Sequence, residues 1–229
     1  MKVLKIIAAC IIAAALGYFV FAEIFVLETV EIYGRNEGEI LRASCLESGS
    51  SIFRVKEDVV RAGVDALGTY ALEDMKILYP NRVRIVVRER IPAAMLLHEE
   101  RIAVLDVDAV LIELVDEVPE RDLIYISGMK IKDAVPGRAI ESQACAELLS
   151  VLKACEGEHY ISEMDLSDEK NLRIISRLGN LVLLGDSENL EEKSAWMKSA
   201  LQDLELRGES GGILDVSCGK RAYYMPWKN

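Results

Sequence analysis

Histidine is nearly absent from this chain. His98 and His159 are its only imidazoles, and each stands among glutamates with no third partner at a recognisable spacing. A solvated or packing role suits them better than acid–base work, which needs a positioned partner. The sequence contains no G-x-S-x-G elbow, no H-E-x-x-H helix and no G-x-x-x-x-G-K-S/T loop. Its five cysteines, Cys10, Cys45, Cys145, Cys155 and Cys218, are odd in number and never spaced C-x-x-C. That signals neither a zinc site nor a dense disulfide framework, and a helix between Cys145 and Cys155 would hold them too far apart to bridge. Asp106, Asp108 and Glu113 superficially resemble a carboxylate site. However, Asp106-Val107-Asp108-Ala109 lacks the turn glycine and later ligands of a calcium loop, so a polar turn between strands is expected. No catalytic, cofactor or metal residues are expected, and the chain reads as a non-enzyme.

Positive charge is also in short supply. The formal net charge is -11, and it resides in one part of the chain. Residues 27 to 90 carry ten basic and eleven acidic side chains, whereas those after 90 carry fifteen basic and twenty-six acidic. Nucleic-acid binding requires Lys and Arg to displace counterions from phosphates, so the acidic second half argues against it. The four arginines of "YPNRVRIVVRER", Tyr79 to Arg90, are balanced by acidic residues in the same segment.

Charge of either sign is missing from Ile6 to Ala22, which Lys2 and Lys5 precede and Glu23 follows. A membrane-spanning helix needs roughly 20 apolar residues with Lys or Arg on the cytoplasmic side. The run is expected to be a transmembrane anchor, with a short cytoplasmic N-terminus and everything after about residue 26 outside. A cleaved signal peptide is the alternative, because Val20-Phe21-Ala22 is an acceptable cleavage site. Tyr18, Phe19 and Phe21 fit an interfacial aromatic belt better.

No repeat or low-complexity tract interrupts the remainder. Leu27 to Tyr33 reads as a strand, Glu37 to Leu46 and Lys56 to Leu67 as helices, and Leu72 to Leu78 and Val83 to Ile91 as strands around Pro80-Asn81. The order is β-α-α-β-β. Setting Ile77 opposite Val83 and Met75 opposite Ile85 makes one hairpin face apolar, and burial selects that register. Val83, Ile85 and Val87 then face the core, and Arg82, Arg84, Arg88 and Arg90 face solvent. A boundary is expected near Arg90-Ile91-Pro92.

Beyond it, strands are expected at Ala94 to His98, Arg101 to Leu105, Val110 to Glu113 and Leu123 to Ile126. A helix spanning Ser142 to Cys155 follows, with Cys145, Leu148, Leu149 and Leu152 on one face. Further strands are Tyr160 to Asp165, Leu172 to Ser176 and Leu181 to Leu184. The helix Leu190 to Leu206 has Trp196, Leu201 and Leu204 as core candidates, and Ile213 to Ser217 and Ala222 to Met225 close the chain as strands. The fold class is α+β with a mainly antiparallel second domain. With no catalytic constellation, protein binding remains, and the last strand is its natural place because an open sheet edge accepts a partner strand. Tyr223, Tyr224 and Trp227 crowd that end, and these residue types are enriched at binding hot spots.

These features together resemble the FtsQ/DivIB family of bacterial cell-division proteins. "FVLETVEIYGR" (Phe25 to Arg35) is similar to the family's opening strand, with Arg35 in the usual Asn place, and "SGSSIFRV" to the segment between its two helices. "YPNRVRIVVRERIPAAMLL" matches the most distinctive stretch at Pro80, Asn81, Val83, Ile85, Val87, Glu89, Arg90, Pro92 and Ala94. "LDVDAVL", "LIYISG" and "LVLLGDSENLEEK" are weaker matches in the right order. "GILDVSCGKRAYYMPW" is similar to the closing strand, with Ser217 and Cys218 replacing Arg and Tyr.

The resemblance implies a tail and membrane helix over 1–26, a POTRA domain over 27–91 and a C-terminal β domain over 92–229. It implies a single-pass scaffold of the division septum that contacts other membrane division proteins, including the septal peptidoglycan synthase complex. FtsB/DivIC-like and FtsL-like bitopic proteins would add along the last strand and the helix before it, at Cys218, Gly219, Tyr223, Tyr224 and Trp227, with Trp196. The alternatives are a secreted or anchored cell-wall hydrolase and a POTRA-bearing assembly factor of another envelope complex.

Overall fold

The computed structural model describes residues 11–12, 17, 23–142, 144–154 and 160–227. Most of the Ile6–Ala22 run, including the alternative cleavage site, lies outside the described residues, as do Cys10, Cys155 and His159. Among the described residues, no helix is long and apolar enough to cross a membrane. The fold is α+β and divides into two compact units, Met1–Glu89 and Arg90–Asn229.

In the first unit the order is β1 (Thr29–Tyr33), α1 (Glu37–Ala43), a 3-10 turn at Ile52–Arg54, α2 (Glu57–Asp65), β2 (Tyr70–Leu78) and β3 (Arg82–Glu89). The sheet order is β1-β3-β2, with β1 parallel and β2 antiparallel to β3. The hairpin register sets Met75 opposite Ile85 and Ile77 opposite Val83, as the apolar alternation requires. Val83, Ile85 and Val87 are buried with Ile40 of α1 and Val60 and Val64 of α2. Burying each such side chain contributes about 1.5–3 kcal/mol relative to exposure. Gly63 lets α2 meet the end of α1, since a Cβ there would lie 1.9 Å from the Ala43 carbonyl oxygen.

Two of the arginines of β3 are held by an acid from the neighbouring strand. Arg82 and Arg84 contact the two Glu31 oxygens at 3.0 and 3.1 Å, and Arg84 also lies over the Tyr33 ring. Arg90 corrects the expectation that it faces solvent. It belongs to the second unit, is buried, and contacts Asp106 Oδ2 at 2.7 Å. Strand alternation stops governing its direction because β3 ends at Glu89.

The second unit contains β4 (Pro92–His98), β5 (Arg101–Asp106), β6 (Leu111–Val115), β7 (Ile124–Ser127), α3 (Cys145–Ala154), β8 (Ile161–Asp165), β9 (Leu172–Ser176), β10 (Asn180–Gly185), α4 (Leu190–Arg207), β11 (Gly212–Asp215) and β12 (Tyr223–Pro226). They form one sheet, ordered β12-β11-β10-β9-β8-β7-β4-β5-β6. Antiparallel pairs predominate, but β4–β7, β7–β8 and β10–β11 are parallel. The core joins Leu148, Val151 and Leu152 of α3 and Met197, Leu201 and Leu204 of α4 to inward strand residues such as Ile174, Val182 and Leu214. Trp196 was expected in this core and is 42% exposed. Helical periodicity puts Lys193, Met197, Leu201 and Leu204 on the buried stripe, and Trp196 falls one position off it. The Asp106–Ala109 segment is a turn between β5 and β6: Asp106 Oδ1 accepts the N–H groups of Asp108 and Val110 at 2.9 and 2.8 Å.

Candidate functional site

Among the described residues, the β12 strand is one edge of the large sheet and pairs only with β11. Trp227 N–H donates to Gly211 O at 3.3 Å just past the strand. In an antiparallel ladder alternate residues point both backbone groups the same way. Met225 and Tyr223 therefore turn toward β11, while Tyr224 N–H, Tyr224 C=O and Pro226 C=O turn toward the open side. Pro226 has no N–H to offer on that side, a position where edge strands tolerate proline.

The two faces of β12 differ. Tyr224 points to the helix side, packs against the core and donates its hydroxyl to Gly211 O at 3.3 Å. Its ring fits because position 212 is glycine: a Cβ there would lie 2.6 Å from Tyr224 Cε2 and 2.7 Å from Met225 O. Beside it, Trp196, Ala200 and Leu204 of α4 and Leu214 line a groove of ≈ 440 Å³ whose rim holds Asp203, Arg207 and Arg221. Arg207 pairs with Asp203, and Arg221 lies 5.0 Å from the Tyr223 ring centre. On the opposite face, cross-strand register aligns Ile175, Leu181, Ile213 and Met225. Ile175 and Met225 are 41% and 52% exposed, so an apolar row runs across four strands to the open edge.

The residues expected at the site are thus divided among three places. Trp196 and Tyr224 share the groove, whereas exposed Tyr223 and Trp227 lie off it. Cys218 and Gly219 lie in the β11–β12 connection rather than on β12, with Gly219 beside Lys193 and Asn189 at the start of α4. Lys193 anchors that helix end, donating to Asp186 O at 2.9 Å and Asp186 Oδ1 at 2.6 Å. This hydrogen bond, with one from Glu188 N–H, holds the Asp186 carboxyl below the usual carboxylate range. The N–H of Lys220, then the N–H and charge of Arg221, lower the exposed Cys218 thiol below its ordinary value. Burial, then the Glu147 charge, raises Cys145.

The apolar row carries no motif, but one signal for it is present: Leu181-Val182-Leu183-Leu184 is apolar at every position, so both faces of β10 are apolar. Among the described residues, no group of three His, Cys, Asp or Glu side chains could hold a metal ion. What the arrangement offers is backbone hydrogen bonding at an edge, an aromatic groove on one side and an aliphatic row on the other.

No family model matches the chain. It is similar to a cell division protein DivIB of Clostridium tetani (strain Massachusetts / E88), 22% identical over 206 residues, a match covering 86% of this chain and 77% of that protein. It is also similar to a cell division protein FtsQ of Koribacter versatilis (strain Ellin345), 27% identical over 154 residues, covering 64% of this chain and 44% of that protein. The two names support an FtsQ/DivIB-like kinship, and neither denotes a catalytic activity.

Proposed function

We propose that this chain is a non-enzymatic, single-pass membrane scaffold of the bacterial division septum. The first 26 residues anchor it, a POTRA domain follows, and the β domain receives FtsB/DivIC-like and FtsL-like bitopic proteins by strand addition at β12. The observation that carries the reading is the open edge of β12, with aromatic and aliphatic surface on either side of it. Main-chain pairing supplies much of the affinity in such complexes, and side-chain pockets supply selectivity. The kinship with proteins named for cell division supports the setting.

Capture of purified FtsB/DivIC-like and FtsL-like proteins by the full chain tests it. Tyr224 is half-buried against the core, so a charge there would confound folding with binding. Met225→Asp and Trp227→Ala alter exposed side chains instead. Wild type is expected to capture the pair, and the double variant to capture it at least about tenfold more weakly, a loss of about 1.4 kcal/mol, with an unchanged melting temperature. No capture by wild type contradicts the scaffold reading. Equal capture by both forms contradicts the choice of edge.

A further inference from the structure

Three loops at one end of the first unit bring together Phe25, Phe53 and Tyr79. Their ring centres are 5.2 Å apart for Phe25–Phe53, 6.2 Å for Phe25–Tyr79 and 5.9 Å for Phe53–Tyr79. Phe53 is 54% and Tyr79 58% exposed, and neighbouring Ile24 is 48% exposed. Backbone bonds fix the arrangement: Ile52 N–H donates to Phe25 O at 3.0 Å, Leu27 N–H to Ser50 O at 2.8 Å and Glu28 N–H to Asn81 O at 2.9 Å. The rings are therefore held on a braced surface.

We infer that this aromatic triad is a membrane-seating face that rests in the headgroup layer of a lipid bilayer. The inference rests on the reading of Ile6–Ala22 as a bilayer-spanning segment. Phe25 lies three residues after Ala22, and three residues of chain reach at most about 10 Å. The polar layer on each side of the hydrocarbon is about 5–8 Å thick. A chain leaving the hydrocarbon near Ala22 thus carries Phe25 into or just beyond that layer, and Phe53 and Tyr79 are packed against Phe25. Aromatic rings are favoured at that boundary, where the apolar body and polar tip are both accommodated. Arg54 and Lys56 follow Phe53, but Glu23 and Glu28 flank Phe25. The local charge is balanced, so ring insertion rather than attraction to anionic lipid holds the face, and neutral lipid suffices.

The test uses the full chain in phosphatidylcholine vesicles with and without bromine-labelled acyl chains, in a background where Trp196 and Trp227 are replaced by Phe. Single tryptophans are placed by Phe53→Trp, by Tyr33→Trp at the far end of β1 and by Leu16→Trp within the apolar run. The Phe53→Trp emission is expected to shift to shorter wavelength and to be quenched by at least about twofold, as for a ring at the headgroup boundary. The Tyr33→Trp emission is expected to stay unquenched. Quenching of Leu16→Trp without quenching of Phe53→Trp overturns the seating face and leaves the anchor standing. No quenching of Leu16→Trp overturns the anchor, and the seating face with it.

Discussion

Removing the charge of Asp106 is expected to cost this protein more than almost any other single polar substitution. Asp106 is 1% and Arg90 8% exposed, and one carboxylate oxygen takes the Arg90 guanidinium at 2.7 Å. The other oxygen accepts the Asp108 and Val110 N–H groups that shape the β5–β6 turn. Asp106→Asn keeps an acceptor for the turn but removes the carboxylate charge that faces a buried guanidinium, which costs about 3–5 kcal/mol. Asp106→Ala also removes both turn bonds, adding about 1–3 kcal/mol. Arg90→Met together with Asp106→Asn removes both buried charges, so the double variant should lose less than Asp106→Asn alone. Both tryptophans, Trp196 and Trp227, lie in the second unit, so their fluorescence follows its unfolding selectively. At about 2–4 °C per kcal/mol for a domain of this size, Asp106→Asn should lower the melting temperature by about 6–20 °C. A loss under about 1 kcal/mol, or losses from Arg90→Met and Asp106→Asn that simply add, would mean that the two buried charges do not depend on each other.

One further substitution and one chemical labelling probe the second unit. Gly212→Ala should push aside both the Tyr224 ring and the β12 backbone, costing about 1–3 kcal/mol and loosening the last strand to limited proteolysis; a variant as stable and protease-resistant as wild type would show that β12 does not depend on this close approach. Alkylation by iodoacetamide, followed by mass spectrometry from pH 6 to 9, should label Cys218 at lower pH than Cys145. Its thiol is lowered by the Lys220 and Arg221 amides and that of Cys145 is raised by burial, and the thiolate is the reactive form. Equal onset at the two cysteines would contradict those environments.

The hairpin of the first unit was legible because its two requirements agree. The alternation Val83, Ile85, Val87 has one buried face, and a slip by one residue would bury Arg84 instead, so the register follows from burial alone. The same alternation misled at Arg90. Its side chain is governed by Asp106, sixteen residues on, a tertiary partner no local period reveals. Trp196 shows a related limit: hydrophobicity suggested core, but the α4 stripe runs through Lys193, whose ammonium is neutralised by Asp186. A buried lysine hides the true phase of the helix from any reading that counts only apolar residues. The aromatic content of the last strand was visible, but its division between two faces depends on the pairing of β12 with β11. The aliphatic row through Ile175, Leu181, Ile213 and Met225 leaves a single trace in the sequence, the all-apolar Leu181–Leu184, because the row itself exists only across strands. The triad of Phe25, Phe53 and Tyr79 likewise joins three loops distant in sequence.

Amide hydrogen exchange at Tyr224 distinguishes strand addition from any other mode of partner binding. Its N–H points to the open side of β12, so in the free chain it should exchange far faster than those of Tyr223 and Met225, which face β11. With a saturating FtsB/DivIC-like partner, Tyr224 N–H should be protected by at least about tenfold, as expected when an edge amide enters a ladder bond. A partner that binds while Tyr224 exchange stays unchanged would contradict strand addition at this edge.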